Sequence, residues 1–190
     1  DSAEAGLAEW PVAEIAALLK TGWSGRGHAS GPMAEVVLRS TQHLNDADLR
    51  AMAFYLKSLS AAEQPASPAR ETSAGAATAR SRRGAQLYRD HCERCHGERG
   101  EGVPGAYPAL AGNRAVVMAQ TTNLVQAVLH GGFAPATAGN PRPFGMPPFV
   151  LVLNDADIAA VLSHLRTAWG NSASEVSELD VHKVRAASSR

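Results

Sequence analysis

Two stretches of the chain place apolar side chains at helical spacing behind the same polar signal. Leu44-Asn45-Asp46-Ala47-Asp48-Leu49 and Leu153-Asn154-Asp155-Ala156-Asp157-Ile158 differ only in their last aliphatic residue. Each predicts a helix start, with the Asn side chain capping free amides and the carboxylates set against the positive end of the helix dipole. Behind the first signal Leu49, Met52, Ala53 and Leu56 share a face, and behind the second Ile158, Val161, Leu162, Leu165 and Trp169 do. These stripes predict core faces. Residues 12–21 predict a helix stopped at Gly22, and residues 124–130 one stopped at Gly131-Gly132. Leu18 and Val128 stand about 110 positions apart, as the two capped helices do, so residues 9–60 repeat residues 119–169. Residues 82–118 have no counterpart in the sequence, and the same offset would place one ahead of Asp1. The pattern predicts an all-α chain: a complete domain at 82–170, preceded at 1–60 by the C-terminal half of a second whose front half lies upstream.

Residues 61–81 hold Pro65, Pro68 and Gly75 among small polar residues and read as a flexible linker. Residues 171–190 mix charges with a few spaced valines and read as a tail, disordered alone but able to lie along a partner. Over 190 residues, 18 Lys and Arg balance 18 Asp and Glu, so there is no basic excess to hold a phosphate backbone and nucleic acid is excluded as a partner. No apolar run approaches the roughly 20 residues that a membrane-spanning helix needs. Aromatics are only 5% of the chain. A core so poor in large side chains fits either an alanine-rich helical fold or one completed by a bulky apolar cofactor.

Both cysteines lie in Cys92-Glu93-Arg94-Cys95-His96. Three chemistries use such a spacing. A structural zinc needs four ligands, and no second Cys/His pair at finger spacing follows. A redox-active pair sits after a strand, whereas the residues ahead of Cys92 read as helical. Covalent attachment of haem c uses both thiols on the porphyrin vinyl groups and directs the adjacent His96 to the iron. Electron-transfer iron takes a second axial ligand, and a thioether there favours the reduced state. Met52 and Met118 sit among helical apolar residues and read as packing. Met146 instead lies in Phe144-Gly145-Met146-Pro147-Pro148-Phe149, where two prolines hold the chain extended and give the sulfur an apolar surround. If Met146 only fills a core gap, the iron is left open or takes a histidine such as His130.

With these residues in order, the segment from Arg83 to Trp169 resembles a class I cytochrome c domain. The resemblance rests on Gly84 and Tyr88 on an opening helix, the Cys92–His96 motif, Pro108-Ala109-Leu110-Ala111-Gly112, the Met146 loop and the closing helix. It implies that the first and last helices cross closely through Gly84, Tyr88, Leu165 and Trp169. It also implies that the Pro108 carbonyl accepts a hydrogen bond from the far nitrogen of His96, and that Asn113 and Arg114 stand near a haem propionate. The first region, with Gly31-Pro32-Met33-Ala34-Glu35-Val36-Val37, is similar to the middle haem domain of the three-haem cytochrome subunits of periplasmic membrane-associated dehydrogenases, which oxidise alcohols, aldehydes, gluconate and related sugars. By that resemblance Met33 is the axial methionine of another haem c, bound only if residues upstream of Asp1 supply its attachment motif about 18 residues earlier. His28 and His43 are substitute ligands for it or solvent-facing histidines.

Iron bound by His96 and Met146 has no open position for a substrate, which points to outer-sphere electron transfer rather than catalysis. The resemblance implies a dehydrogenase catalytic subunit as electron donor, membrane quinone or an oxidase as acceptor, and a bacterial periplasmic location. The alternative from another class is a haem-based sensor in which Met146 is labile and a small gas replaces it.

Overall fold

Both Asn caps form in the computed structural model, which describes residues 7–59 and 74–188. In chain order the helices are α1 (Val12–Thr21), α2 (Pro32–Arg39), α3 (Asp46–Ser58), α4 (Ala74–His91), α5 (Glu93–His96), α6 (Arg114–Val117), α7 (Thr122–His130), α8 (Asp155–Thr167) and α9 (Glu178–Ser188). Two-residue strands β1 (Trp23–Ser24) and β2 (Gly27–His28) pair antiparallel, as do β3 (Gly132–Phe133) and β4 (Gly145–Met146). Asn45 Oδ1 accepts from the Asp48 amide at 2.9 Å and Asn154 Oδ1 from the Asp157 amide at 2.8 Å, so the repeated signal starts α3 and α8 in the same way. The architecture is all-α, as the periodicity predicts.

The chain divides into two units, one of Asp1–Gln64, Pro104–Pro108 and Gly132–Met146, the other of Pro65–Val103, Ala109–Gly131 and Pro147–Arg190. Two loops that the sequence assigns to the 82–170 domain thus cluster with the first unit. Its core is Ile15 and Leu19 of α1 against Leu49 and Ala53 of α3, flanked by Leu7, Trp10, Val12, Ala16, Leu44 and Leu56. Helix α1 ends at Gly22, whose φ of 76° turns the chain left-handed while its amide donates to Leu18 O at 2.9 Å. Lys57 Nζ of α3 donates to Trp10 O, just ahead of α1, and Thr41 Oγ1, in the turn before α3, donates to Leu19 O of α1, each at 2.5 Å. Met52 corrects an expectation: it is 37% exposed and lies outside that cluster, because Leu49, Ala53 and Leu56 fill the buried side of α3.

In the second unit α4 and α8 meet at Gly84. A Cβ on Gly84 would lie 2.2 Å from the Ala160 carbonyl oxygen and 2.9 Å from His164 Cβ, so only glycine admits the approach. One turn on, the Tyr88 ring packs 4.8 Å from Trp169 and 5.9 Å from His164, while Leu165 is buried alongside. The crossing implied by the resemblance is present, with His164 as an additional member. Trp169 itself adopts φ 53°, and its ring lies where a Cβ on Gly100 would fall, 2.6 Å away. Asn171 is buried and spans three segments, donating to Leu110 O at 3.1 Å and Leu165 O at 2.7 Å and accepting from the Gly112 amide at 2.9 Å. Arg166, also buried, donates to the carbonyls of Val116 and Met118 at 2.7 and 2.8 Å and to that of Ser174 at 2.6 Å.

Two further expectations are corrected here. Of the segment read as linker, residues 61–73 lie outside the described residues, but residues 74–81 are the opening turns of α4. The alanines and Arg80 there favour helix once the better-packed turns from Gly84 onward supply a template. The segment read as a tail contains α9, laid on the folded unit. Val176 and Val181 are buried, and Ser163 Oγ both donates to Val176 O at 3.2 Å and accepts from its amide at 3.0 Å. Arg185 donates to Asp155 at 2.6 Å and to the carbonyls of Val150 and Leu153 at 2.7 and 2.8 Å. Long-range polar anchoring and two valines, rather than a hydrophobic stripe, hold this segment.

At an ordinary helical site Gly→Ala stabilises by up to about 1 kcal/mol; at Gly84 the added methyl meets backbone, so Gly84→Ala lowers stability by about 1–3 kcal/mol, read as a fall in thermal midpoint. Burial, and then the Arg89 charge, hold the His164 imidazole below its ordinary 6.5. On acidification the unfolded chain therefore takes up this proton first, and stability falls as pH drops below about 6.5. Denaturant midpoints measured across that range show the loss in the parent chain and its reduction in His164→Gln.

Candidate functional site

The two cysteines and His96 fall on one helical turn at the end of α4. The Cys92 amide donates to Tyr88 O at 2.8 Å, continuing the helical pattern, and the Cys92 carbonyl then accepts from the amides of Cys95 at 3.1 Å and His96 at 2.9 Å. Gly97, at φ 83°, ends the turn, and its amide closes on Glu93 O at 2.8 Å. Here glycine is required twice over, since a Cβ would also meet the Glu101 carboxyl at 2.5 Å. That carboxyl is held below the usual carboxylate range by the backbone amides of Glu101 and Arg99, and the Gly102 amide donates to His96 O at 2.7 Å. The Tyr88 hydroxyl donates to Gly97 O, so the ring cluster at the helix crossing also pins the loop one residue past His96.

Cys92 and Cys95 are unpaired and half-buried, and His96 is half-buried beside them. Burial, and then the neighbouring Cys95, push the Cys92 thiol up to about 11. This is opposite to the depressed thiol that a disulfide oxidoreductase needs, and the turn follows a helix rather than a strand. Among the described residues no three His, Cys, Asp or Glu side chains gather into a group that could hold a metal ion.

Below this turn the Gly100 carbonyl accepts from the amides of Leu110 at 2.7 Å and Ala111 at 2.9 Å, placing the Leu110-Ala111-Gly112 loop. Asn113 is committed locally. Its Oδ1 caps α6 through the Ala115 amide at 3.0 Å and its Nδ2 donates to Ala109 O at 2.7 Å, while Arg114 follows it half-buried.

Met146 lies on β4, extended as its flanking prolines predict, opposite Gly132 and half-buried. The Phe133 ring covers Gly145, where a Cβ would come within 2.4 Å, and Tyr107 packs 5.2 Å from Phe144. Met146 and the half-buried Pro108 belong to the first unit; Cys92, Cys95 and His96 belong to the second. Met33 stands in the first turn of α2, behind Pro32, and is 49% exposed, with Val36 and Leu38 on the same helix exposed too. His28, His43 and His130 are exposed. Sequence reading missed Arg166, Asn171 and His164. Their signal was a polar residue standing inside, or just past, the apolar stripe of α8.

Among the described residues no helix is long and apolar enough to cross a membrane. Residues 81–169 match the family model for cytochrome c. The chain is 37% identical over 97% of its length to the cytochrome c subunit of a quinone alcohol dehydrogenase from Gluconobacter oxydans, spanning 40% of that protein. It is 33% identical over 96% of its length to a fructose dehydrogenase cytochrome subunit from Gluconobacter japonicus, spanning 42% of that protein. Cytochrome c-552 of Thermus thermophilus is 36% identical over 47% of the chain and 70% of its own length. The matched span encloses the cysteine-bearing turn, the Gly84 crossing and the Met146 hairpin, and the chain belongs to the cytochrome c family, whose domains carry covalently attached haem c.

Proposed function

We propose that the chain is an electron-carrying portion of the cytochrome c subunit of a bacterial dehydrogenase complex. One electron enters from the catalytic subunit and one leaves toward membrane quinone or an oxidase, on the periplasmic side of the membrane. The observation that carries this reading is the similarity of 97% of the chain to the cytochrome c subunit of a quinone alcohol dehydrogenase, joined to the turn that presents two unpaired thiols and an imidazole. That donor set fits haem c: thiols three residues apart for the two vinyl groups, and an imidazole directly after the second.

In this reading Cys92 and Cys95 would hold the haem through thioethers, and His96 and Met146 would ligate its iron. When bound, the haem supplies a one-electron couple. The Pro108 carbonyl orients His96 by accepting from its far nitrogen. Gly97 and Glu101 keep the attachment turn rigid, so little rearrangement accompanies a change of oxidation state. Met146 supplies a soft sulfur that favours the reduced state and denies the iron to exogenous ligands. Met33, half-exposed on α2, would ligate a second haem only where residues ahead of Asp1 supply its attachment motif.

Intact mass and iron content after expression with haem maturation test attachment, one haem per chain being expected. Met146→Ala lowers the potential of that haem and admits carbon monoxide after reduction, whereas Met33→Ala does neither. Equal responses to the two substitutions contradict the ligand assignment, and ready carbon monoxide binding by the parent chain favours a sensor instead.

A further inference from the structure

Arg166 is the bulkiest fully buried side chain among the described residues, 1% exposed. Its guanidinium makes four hydrogen bonds: Nη1 to Val116 O at 2.7 Å and to Met118 O at 2.8 Å, Nε to Ser174 O at 2.6 Å, and Nη2 to Ser174 Oγ at 3.2 Å. Every one of these acceptors is uncharged. The carboxylate next along the chain, Glu175, is held by Arg80 at 2.8 Å. The second unit therefore contains a cation withdrawn from water, satisfied in its hydrogen bonds and matched by no anion among those four acceptors. Such a charge costs several kcal/mol to desolvate, and a neutral side chain could join the same segments without that cost. Burial already pulls the Arg166 pKa below the ordinary arginine value. The repeat makes the contrast sharper: Lys57, the counterpart of Arg166, also bonds a carbonyl, Trp10 O, but from a half-buried position.

We propose that Arg166 is a potential-setting residue, whose buried charge favours the reduced over the oxidised form of the haem carried by the second unit. The inference rests on the haem assignment made above. Oxidised haem carries one more positive charge than reduced haem, so a fixed cation in the same low-dielectric body raises the energy of the oxidised form. Coulomb energy falls only as the inverse of distance, and mobile ions do not screen a charge that solvent does not reach. Arg166 touches no iron ligand in this account; it acts through its field, and the hydrogen bonds to Val116, Met118 and Ser174 keep that field fixed in place.

Redox titration of the haem-loaded chain against poised mediators tests this, with haem per chain and thermal midpoint measured on each variant. Arg166→Met removes the charge. Ser174→Asp leaves Arg166 in place but sets a carboxylate beside it from an exposed position, and so also serves if Arg166→Met does not fold. Arg166→Lys keeps the charge with fewer hydrogen bonds. Arg166→Met and Ser174→Asp are expected to shift the oxidised-to-reduced ratio at fixed poise about tenfold toward oxidised, equivalent to about 59 mV for one electron. Arg166→Lys stays near the parent potential even where its thermal midpoint falls. A potential that ignores both charge-altering variants overturns the inference, as does Arg166→Lys shifting as far as Arg166→Met. A chain that takes up no haem overturns the cofactor assignment and this inference with it, whereas a loaded chain with an unmoved potential overturns this inference alone.

Discussion

The organisation of the second unit depends on one contact, the bare Cα of Gly84 against the backbone of Ala160. Because nothing projects from that position, α4 and α8 come close enough for Tyr88 to reach Trp169 one turn later, and for its hydroxyl to reach Gly97 O. The loop next to His96 is thereby fixed by a side chain that belongs to the helix crossing. Since α4 leads directly into the turn with Cys92 and Cys95, the angle of one helix against another sets where both thiols stand. Attachment chemistry and helix packing are a single constraint in this domain, and the half-buried state of the thiols follows from it.

Much of this was legible in the sequence, and the legible parts are local. The Asn45 and Asn154 caps need only a side chain and an amide three residues on, so the repeated hexapeptide reports them without knowledge of the fold. The Cys92–His96 turn is equally local, a short helix between α4 and Gly97. Gly84 and Tyr88 were readable only through the family resemblance, because nothing in the composition of α4 says which glycine faces a neighbour.

What escaped notice is non-local and mostly polar. Arg166, Asn171 and Arg185 each join segments far apart in the chain through backbone carbonyls, and periodicity of apolar residues carries no trace of such bonds. In the sequence α9 reads as a tail because Val176 and Val181 are too few to make a stripe, yet both are buried once Arg185 and Ser163 hold the segment down. The opening of α4 reads as linker because Gly75 stands there among small residues with almost nothing to bury; helix propensity and a well-packed continuation decide the matter instead. Met52 failed in the other direction, being apolar at the right spacing but on a side of α3 that Leu49 and Ala53 do not use.

The anchoring of α9 bears on how this protein can be handled. Arg185 links the last helix to Asp155, in the first turn of α8, and to the two carbonyls just before it. Tension applied at the C-terminus, through an electrode tether, a surface tag or a fused domain, is therefore passed by a few polar bonds to the start of the helix that packs on Gly84. An attachment point on the exposed side of α3, at Ala51 or Tyr55, would load neither helix of that crossing.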